Sequence, residues 1–102
     1  MAELIIVSWR DIPAQVIVRQ GRKAERRELP EHFIQAVDRA AMTAGLKDSD
    51  SYLNEWKRSA PVVVGEDLAA EADKAVAEIL ARYPKERLVV LAQAGGIEAS
   101  AT

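Results

Sequence analysis

Cysteine is absent from the 102 residues, and histidine occurs once, at His32. Without a thiol there is no disulfide, thiolate metal site, iron–sulfur cluster or cysteine nucleophile. A zinc site on His32 needs two further ligands at helix-compatible spacing. Glu28, Gln35 and Asp38 flank it, but no second imidazole exists, so His32 reads as a surface histidine. Long apolar runs are missing too: nowhere do about 18 uncharged apolar residues follow one another, as a membrane span requires. Acidic Glu3 before the short run Leu4–Val7 is unlike a signal peptide, which starts basic and has a longer apolar core. The expectation is a cytoplasmic protein. A basic excess is also lacking; the net charge of −2 argues against a dedicated nucleic-acid binder.

Catalytic motifs are absent as well. There is no G-x-S-x-G elbow, no G-x-G-x-x-G turn and no phosphate loop. Ser8 lies at a strand end before bulky Trp9, a poor setting for a serine nucleophile, and the pair Glu66-Asp67 reads as helix N-terminal charge. "DSDSY" (48–52) resembles the start of a calcium loop. Leu53 and Ser59 stand where that loop needs glycine and a bidentate glutamate, so it reads as a helix cap at Asp48 or Asp50. No catalytic residue, cofactor or metal ligand is assigned, and the chain is expected not to be an enzyme.

What is present is an ordinary globular composition, 49% hydrophobic and 29% charged. A chain of this size buries roughly two-thirds of its unfolded surface, enough for one self-standing core. "LIIVSW" (4–9) and "QVIVRQ" (15–20) flank the turn residues Asp11-Ile12-Pro13 and predict a hairpin. After Gln20-Gly21, "RKAERREL" is an exposed edge strand or a helix lead-in, with the strand preferred. Pro30, Glu31 and Gly45 bracket a helix whose Phe33, Val37, Ala40, Ala41 and Ala44 share a face. Residues 48–56 predict a short second helix with Tyr52, Leu53 and Trp56 on one side, and "SAPVVVG" (59–65) predicts a strand. A long helix follows from Asp67 to Tyr83, with Leu68, Ala72, Val76, Ile79, Leu80 and Tyr83 as its apolar stripe and Pro84 as its stop. "RLVVLA" (87–92) predicts a last strand. The fold class is α+β, a two-layer sandwich: three to four antiparallel or mixed strands with two main helices on one face. Residues 1–93 form one domain and 94–102 a flexible tail.

Two constellations remain. Arg19, Arg22, Lys23, Arg26 and Arg27 crowd nine positions, with Arg10 across the hairpin. They could receive a phosphate, a carboxylate cofactor or an acidic partner, or could simply blunt a sheet edge against self-pairing. Trp9 and Trp56 each have basic neighbours, the residue types that anchor interfaces, although indoles also fill gaps between sheet and helix.

"SWRDIPAQVIV", "RRELPEHFIQAVDRAAM", "YLNEWKR" and "EILARYP" resemble the small bacterial domain family labelled virulence factor, and a segment of the larger conserved virulence factor C proteins. The resemblance covers residues 5–94. The label records a phenotype rather than a reaction, and none of these stretches is a catalytic signature. What the resemblance implies is an accessory role, linked to folate- and cobalamin-dependent one-carbon metabolism. The expected function is a non-catalytic adaptor that docks on a protein partner through Trp9, Arg10, Gln15, Arg22, Lys23, Arg26 and Arg27. The alternative is a small-ligand domain whose arginines bind an anionic cofactor, a folate or a nucleotide. Homo-oligomerisation through the edge at 22–28 stays open; membrane and nucleic-acid partners are not expected.

Overall fold

In the computed structural model, which describes residues 2–46 and 49–97, the β-rich N-terminal third is a three-stranded antiparallel meander. β1 (Ala2–Trp9) pairs with β2 (Ile12–Gln20), and β2 pairs with β3 (Lys23–Glu28). Gly21, at φ 60°, makes the second turn, where the left-handed backbone favours a residue without a Cβ. The stretch after it is a strand, as preferred, and it forms one edge of the sheet. Between Val7 and Ser8 the β1–β2 register shifts, leaving Ala14 as the extra residue of a bulge. The slip places Ile12, rather than Pro13, opposite Trp9. Proline tolerates such a position because it has no ladder hydrogen bond to lose.

The outer edge of β1 is covered in two pieces. β4 (Trp56–Arg58) pairs with residues 7–9 and β5 (Val62–Val64) with residues 2–4. The gap between them is closed by one residue. Ser59 donates its backbone N–H to the Ile6 carbonyl at 2.9 Å, and its Oγ accepts from the Ile6 N–H at 2.9 Å. The strand expected over 59–65 is shortened to Val62–Val64, and β4 precedes it over residues that the sequence did not mark as a strand. The second helix, α2 (Ser49–Leu53), stops before Trp56, which belongs to a strand. Asp48, one of the two expected caps of that helix, lies outside the described residues.

α1 (Glu31–Thr43) begins after Pro30 and buries Phe33, Ala36, Val37, Ala40 and Ala41. It ends in a Schellman motif: Gly45 N–H donates to the Met42 carbonyl and Leu46 N–H to that of Ala41, with Gly45 at φ 72°. α3 (Leu68–Arg82) lies against β2 and β3 and buries Ala72, Ala75 and Ile79. Its N-cap is Asp67, whose carboxylate accepts from the Ala70 N–H at 3.1 Å. Asp67→Ala is expected to cost about 1 kcal/mol in urea unfolding, the usual contribution of such a cap.

The largest departure from expectation is at 87–92. These residues are helical, inside α4 (Lys85–Gln93), rather than a strand. Leu88, Leu91 and Ala92 are buried at i, i+3, i+4 spacing, while the β-branched Val89 and Val90 point outward. Pro84 precedes the helix, and Gly95-Gly96 ends it in a second Schellman motif, Gly96 N–H to Leu91 carbonyl at 2.8 Å. The fold is thus a small α+β structure with a five-stranded antiparallel sheet. One core cluster joins Trp9, Ile12, Val16 and Val18 of the sheet to Phe33, Val37, Ile79 and Leu91 of the helices. Each fully buried valine or phenylalanine stabilises it by about 1.5–3 kcal/mol. No helix among the described residues is long and apolar enough to cross a membrane.

Candidate functional site

The β1–β2 corner is where the expected contact surface begins, and the structure corrects it there. Trp9 is 0% exposed. Its neighbours across the sheet are Ile12 on one side and Trp56 on the other, so it sits in mid-sheet and not on a rim. Its Nε1–H donates to the Tyr52 carbonyl at 2.9 Å, and its ring stacks on Tyr52 at 5.6 Å. Tyr52 in turn meets Trp56 edge-on at 6.1 Å. Trp9 is a core residue and leaves the list of contact residues.

Arg10 is spoken for as well. It follows Trp9 at φ 53°, a backbone conformation that costs a residue with a Cβ about 1–2 kcal/mol. Long-range bonds hold it there. Its N–H donates to the Glu55 carbonyl at 3.1 Å, Nη2 to the Glu55 carboxylate at 3.1 Å, and Nη1 to the Gly95 carbonyl at 2.9 Å. Its guanidinium lies 5.2 Å from the centre of the Trp9 ring, and its Nε is buried without a hydrogen-bond partner among the described residues. Asp11 N–H adds a 2.8 Å bond to the Gly96 carbonyl. The hairpin corner, the lead into β4 and the turn after α4 are thereby tied together. Residues 94–97 are consequently part of the folded domain, and the expected tail has only 98–102 left, which lie outside the described residues.

The remaining cations divide by strand alternation. Gln15 is half-buried and shares a sheet face with Arg26, opposite the face of Val16, Lys23 and Arg27. Arg27 bonds the Glu25 carboxylate at 2.8 Å and that of Asp73 on α3 at 3.0 Å; Glu25 first, then Asp73, hold its guanidinium pKa above the ordinary value. Arg19 pairs with Glu3. Arg22, Lys23 and Arg26 are exposed and have no ion-pair partner among the described residues. Of the expected surface, then, Arg22, Lys23 and Arg26 stay exposed at the free end and edge of β3, with Lys23 on one face of the sheet and Arg26 on the other.

Tyr52 is the titrating group of the aromatic centre. Burial raises its phenol above the ordinary value of 10.0; the Asp38 charge adds to the rise and a hydrogen bond with Trp56 opposes it. A raised pKa in the folded state means that the neutral phenol favours folding. The contribution is complete below about pH 10, where tyrosine in an unfolded chain titrates, and fades as pH rises through the folded value. Urea midpoints should therefore fall above about pH 10, with a shallower fall in Tyr52→Phe.

A concave feature elsewhere in the molecule was not foreseen. α1 and α4 run side by side in the same direction, His32 and Lys85 sharing one end while Ala44 lies against Gly95 at the other. Between them is a groove of about 390 Å³, lined by His32, Gln35, Ala36 and Arg39 from α1 and by Lys85, Leu88, Val89 and Ala92 from α4. His32, half-buried, rests against Phe33 with ring centres 4.9 Å apart. His32, Gln35 and Arg39 stand at i, i+3 and i+7, so one wall was legible in the sequence. The other wall was hidden by reading 87–92 as a strand. A shallower depression beside it shares Gln35 and Arg39 and adds Asp38, Met42 and Thr43. Neither cavity is lined by the basic residues of β3, and no group of three or more His, Asp and Glu side chains placed to hold a metal occurs among the described residues.

A family model described as virulence factor matches residues 7–92. No curated protein and no solved structure matches the chain. The matched span takes in Trp9, Arg10, Tyr52, Glu55 and Trp56, the residues that tie the corner of the sheet, together with both walls of the groove, and by that match the chain belongs to the virulence factor family.

Proposed function

We propose that this chain is a non-catalytic accessory domain that docks an acidic, extended segment of a protein partner along the β3 edge. The observation that carries the reading is the imbalance among its cations. Arg10, Arg19 and Arg27 are neutralised within the fold by Glu55, Glu3, and Glu25 with Asp73, whereas Arg22, Lys23 and Arg26 face solvent uncompensated in a chain of net charge −2. An edge strand has unpaired backbone groups, and a peptide that adds to it gains ladder hydrogen bonds. Carboxylates on that peptide would meet the free cations across the strands.

A second copy of the chain meets a mixed charge pattern at this edge. Two β3 strands related by a two-fold axis must pair residues of the same face, so a centred pairing sets Glu25 against Glu25 or Arg26 against Arg26. Like charges placed directly opposite are unfavourable. A pairing centred on Arg26 also sets Glu25 against Arg27 on both sides, so the preference for an acidic strand rests on the three free cations and not on exclusion of a second copy.

The test is capture from native cell extract by immobilised protein, wild type beside Arg22→Glu/Lys23→Glu/Arg26→Glu. Expected is a protein with an acidic segment, retained by the wild type, lost from the variant, and eluted as salt rises past about 0.1 M, where screening reaches about 10 Å. A folate- or cobalamin-dependent methyl-transfer enzyme among the retained proteins would join this reading to the one-carbon role. Identical, salt-insensitive retention by both proteins would sink it.

A further inference from the structure

The groove between α1 and α4 differs from the β3 edge in chemistry. Its floor is apolar, made by Ala36, Leu88, Val89 and Ala92, and Arg39 and Lys85 stand in its walls. Neither cation has an ion-pair partner among the described residues, and no carboxylate lines the groove; Asp38 belongs to the adjoining depression. His32 and Gln35 add polar groups that can direct a hydrogen-bonding head. Ala36, Leu88 and Ala92 are buried and Val89 is 44% exposed, so Val89 is the apolar surface that the groove leaves open to a ligand. A concave feature lined by apolar residues and a few polar groups is the usual construction of a small-molecule site, and 300–1,000 Å³ is roughly its usual size.

We propose that this groove binds a small amphipathic anion, its apolar body laid against Val89 and its carboxylate or phosphate head drawn by the wall cations, Lys85 beside His32 and Arg39 about two turns further along. The sign of the head follows from the lining: cations without internal partners attract an anion and repel an ammonium. The apolar body follows from the floor, where burying exposed Val89 supplies what a bare anion cannot. The site is independent of the β3 edge and stands or falls without it.

The probe is decanoate, kept below its micelle-forming concentration and titrated into isotopically labelled full-length protein. Backbone amide shifts are the readout, and 1-decanol, decylammonium and inorganic phosphate are run in parallel. Decanoate should saturate and shift amides of residues 32–39 and 85–92. Decanol and phosphate, each with half of the required chemistry, should bind at least about tenfold more weakly, a difference of about 1.4 kcal/mol. Arg39→Glu/Lys85→Glu should weaken decanoate by about tenfold or more while leaving the melting temperature near wild type, since both side chains are exposed. Val89→Ser should weaken decanoate and leave phosphate unaffected. The proposal is overturned if decanoate shifts nothing in these segments, if decanol or phosphate alone binds as tightly, or if charge reversal leaves decanoate affinity unchanged.

Discussion

Gly96→Ala is expected to destabilise the domain by about 3 kcal/mol, combining a left-handed backbone cost of about 1–2 with an overpacking cost of about 1–3. Gly96 has φ 86°, and a Cβ built on it would stand 2.9 Å from Cζ3 and 3.2 Å from Cε3 of Trp9. Something must move. The indole is fully buried, stacked on Tyr52 and hydrogen-bonded to its carbonyl. The backbone of Gly96 is fixed from both ends, its N–H on the Leu91 carbonyl and its carbonyl on Asp11 N–H. Gly95→Ala is the control: it meets the same backbone penalty at φ 73° but only a 3.3 Å approach to Ala44 Cβ, so about 1–2 kcal/mol is expected. The difference between the two urea midpoints isolates the clash with Trp9. Should Gly96→Ala unfold no more easily than Gly95→Ala, the turn does not press on the indole.

Local signals were legible in the sequence and distant ones were not. α1 and α3 could be read because apolar residues recur at helical spacing between clear stops, Pro30 and Gly45 for one, Asp67 and Pro84 for the other. The turn before β3 was legible from Gln20-Gly21, while the polar stretch after it fitted an edge strand or a helix lead-in, with the strand preferred. At 87–92 two signals competed. Val89 and Val90 favour a strand, while Pro84, the 88/91/92 spacing and the Gly95-Gly96 stop specify a helix. In a half-buried segment, the two valines can face solvent and propensity yields to packing. The fate of Trp9 and Arg10 had no local signal. Their partners are Tyr52, Glu55 and Gly95, at sequence separations of 43, 45 and 85. An aromatic beside an arginine at the end of a strand looks the same in sequence whether the chain later returns to cover it or leaves it for a partner.

Trp9→Ala separates those two fates, and its expected effect is among the largest of any single change in the molecule. Removing a fully buried indole costs about 3–5 kcal/mol, because the surrounding structure collapses only partly into the space. Here collapse is opposed on every side: Ile12 and Trp56 are fixed by the ladders of β2 and β4, and the Gly96 turn by its own bonds to Leu91 and Asp11. The loss also strips the Tyr52 carbonyl of its Nε1–H donor and Arg10 of the ring beneath its guanidinium. Against a total stability of about 5–15 kcal/mol for a domain of ordinary stability, much of the fold's margin would disappear, and residual structure near 37 °C is the quantity to measure. Trp56 remains as the single indole in this variant, so its fluorescence follows unfolding without overlap. Trp9→Phe keeps the ring stack but loses the hydrogen bond, and about 1–3 kcal/mol is expected for a large aromatic exchanged in a tight site with its bond unmade. A surface anchor for a partner behaves otherwise: truncating it leaves stability within about 0.5 kcal/mol and changes only binding. A stable, cooperatively folding Trp9→Ala protein would return the indole to the exterior and with it the whole β1–β2 corner.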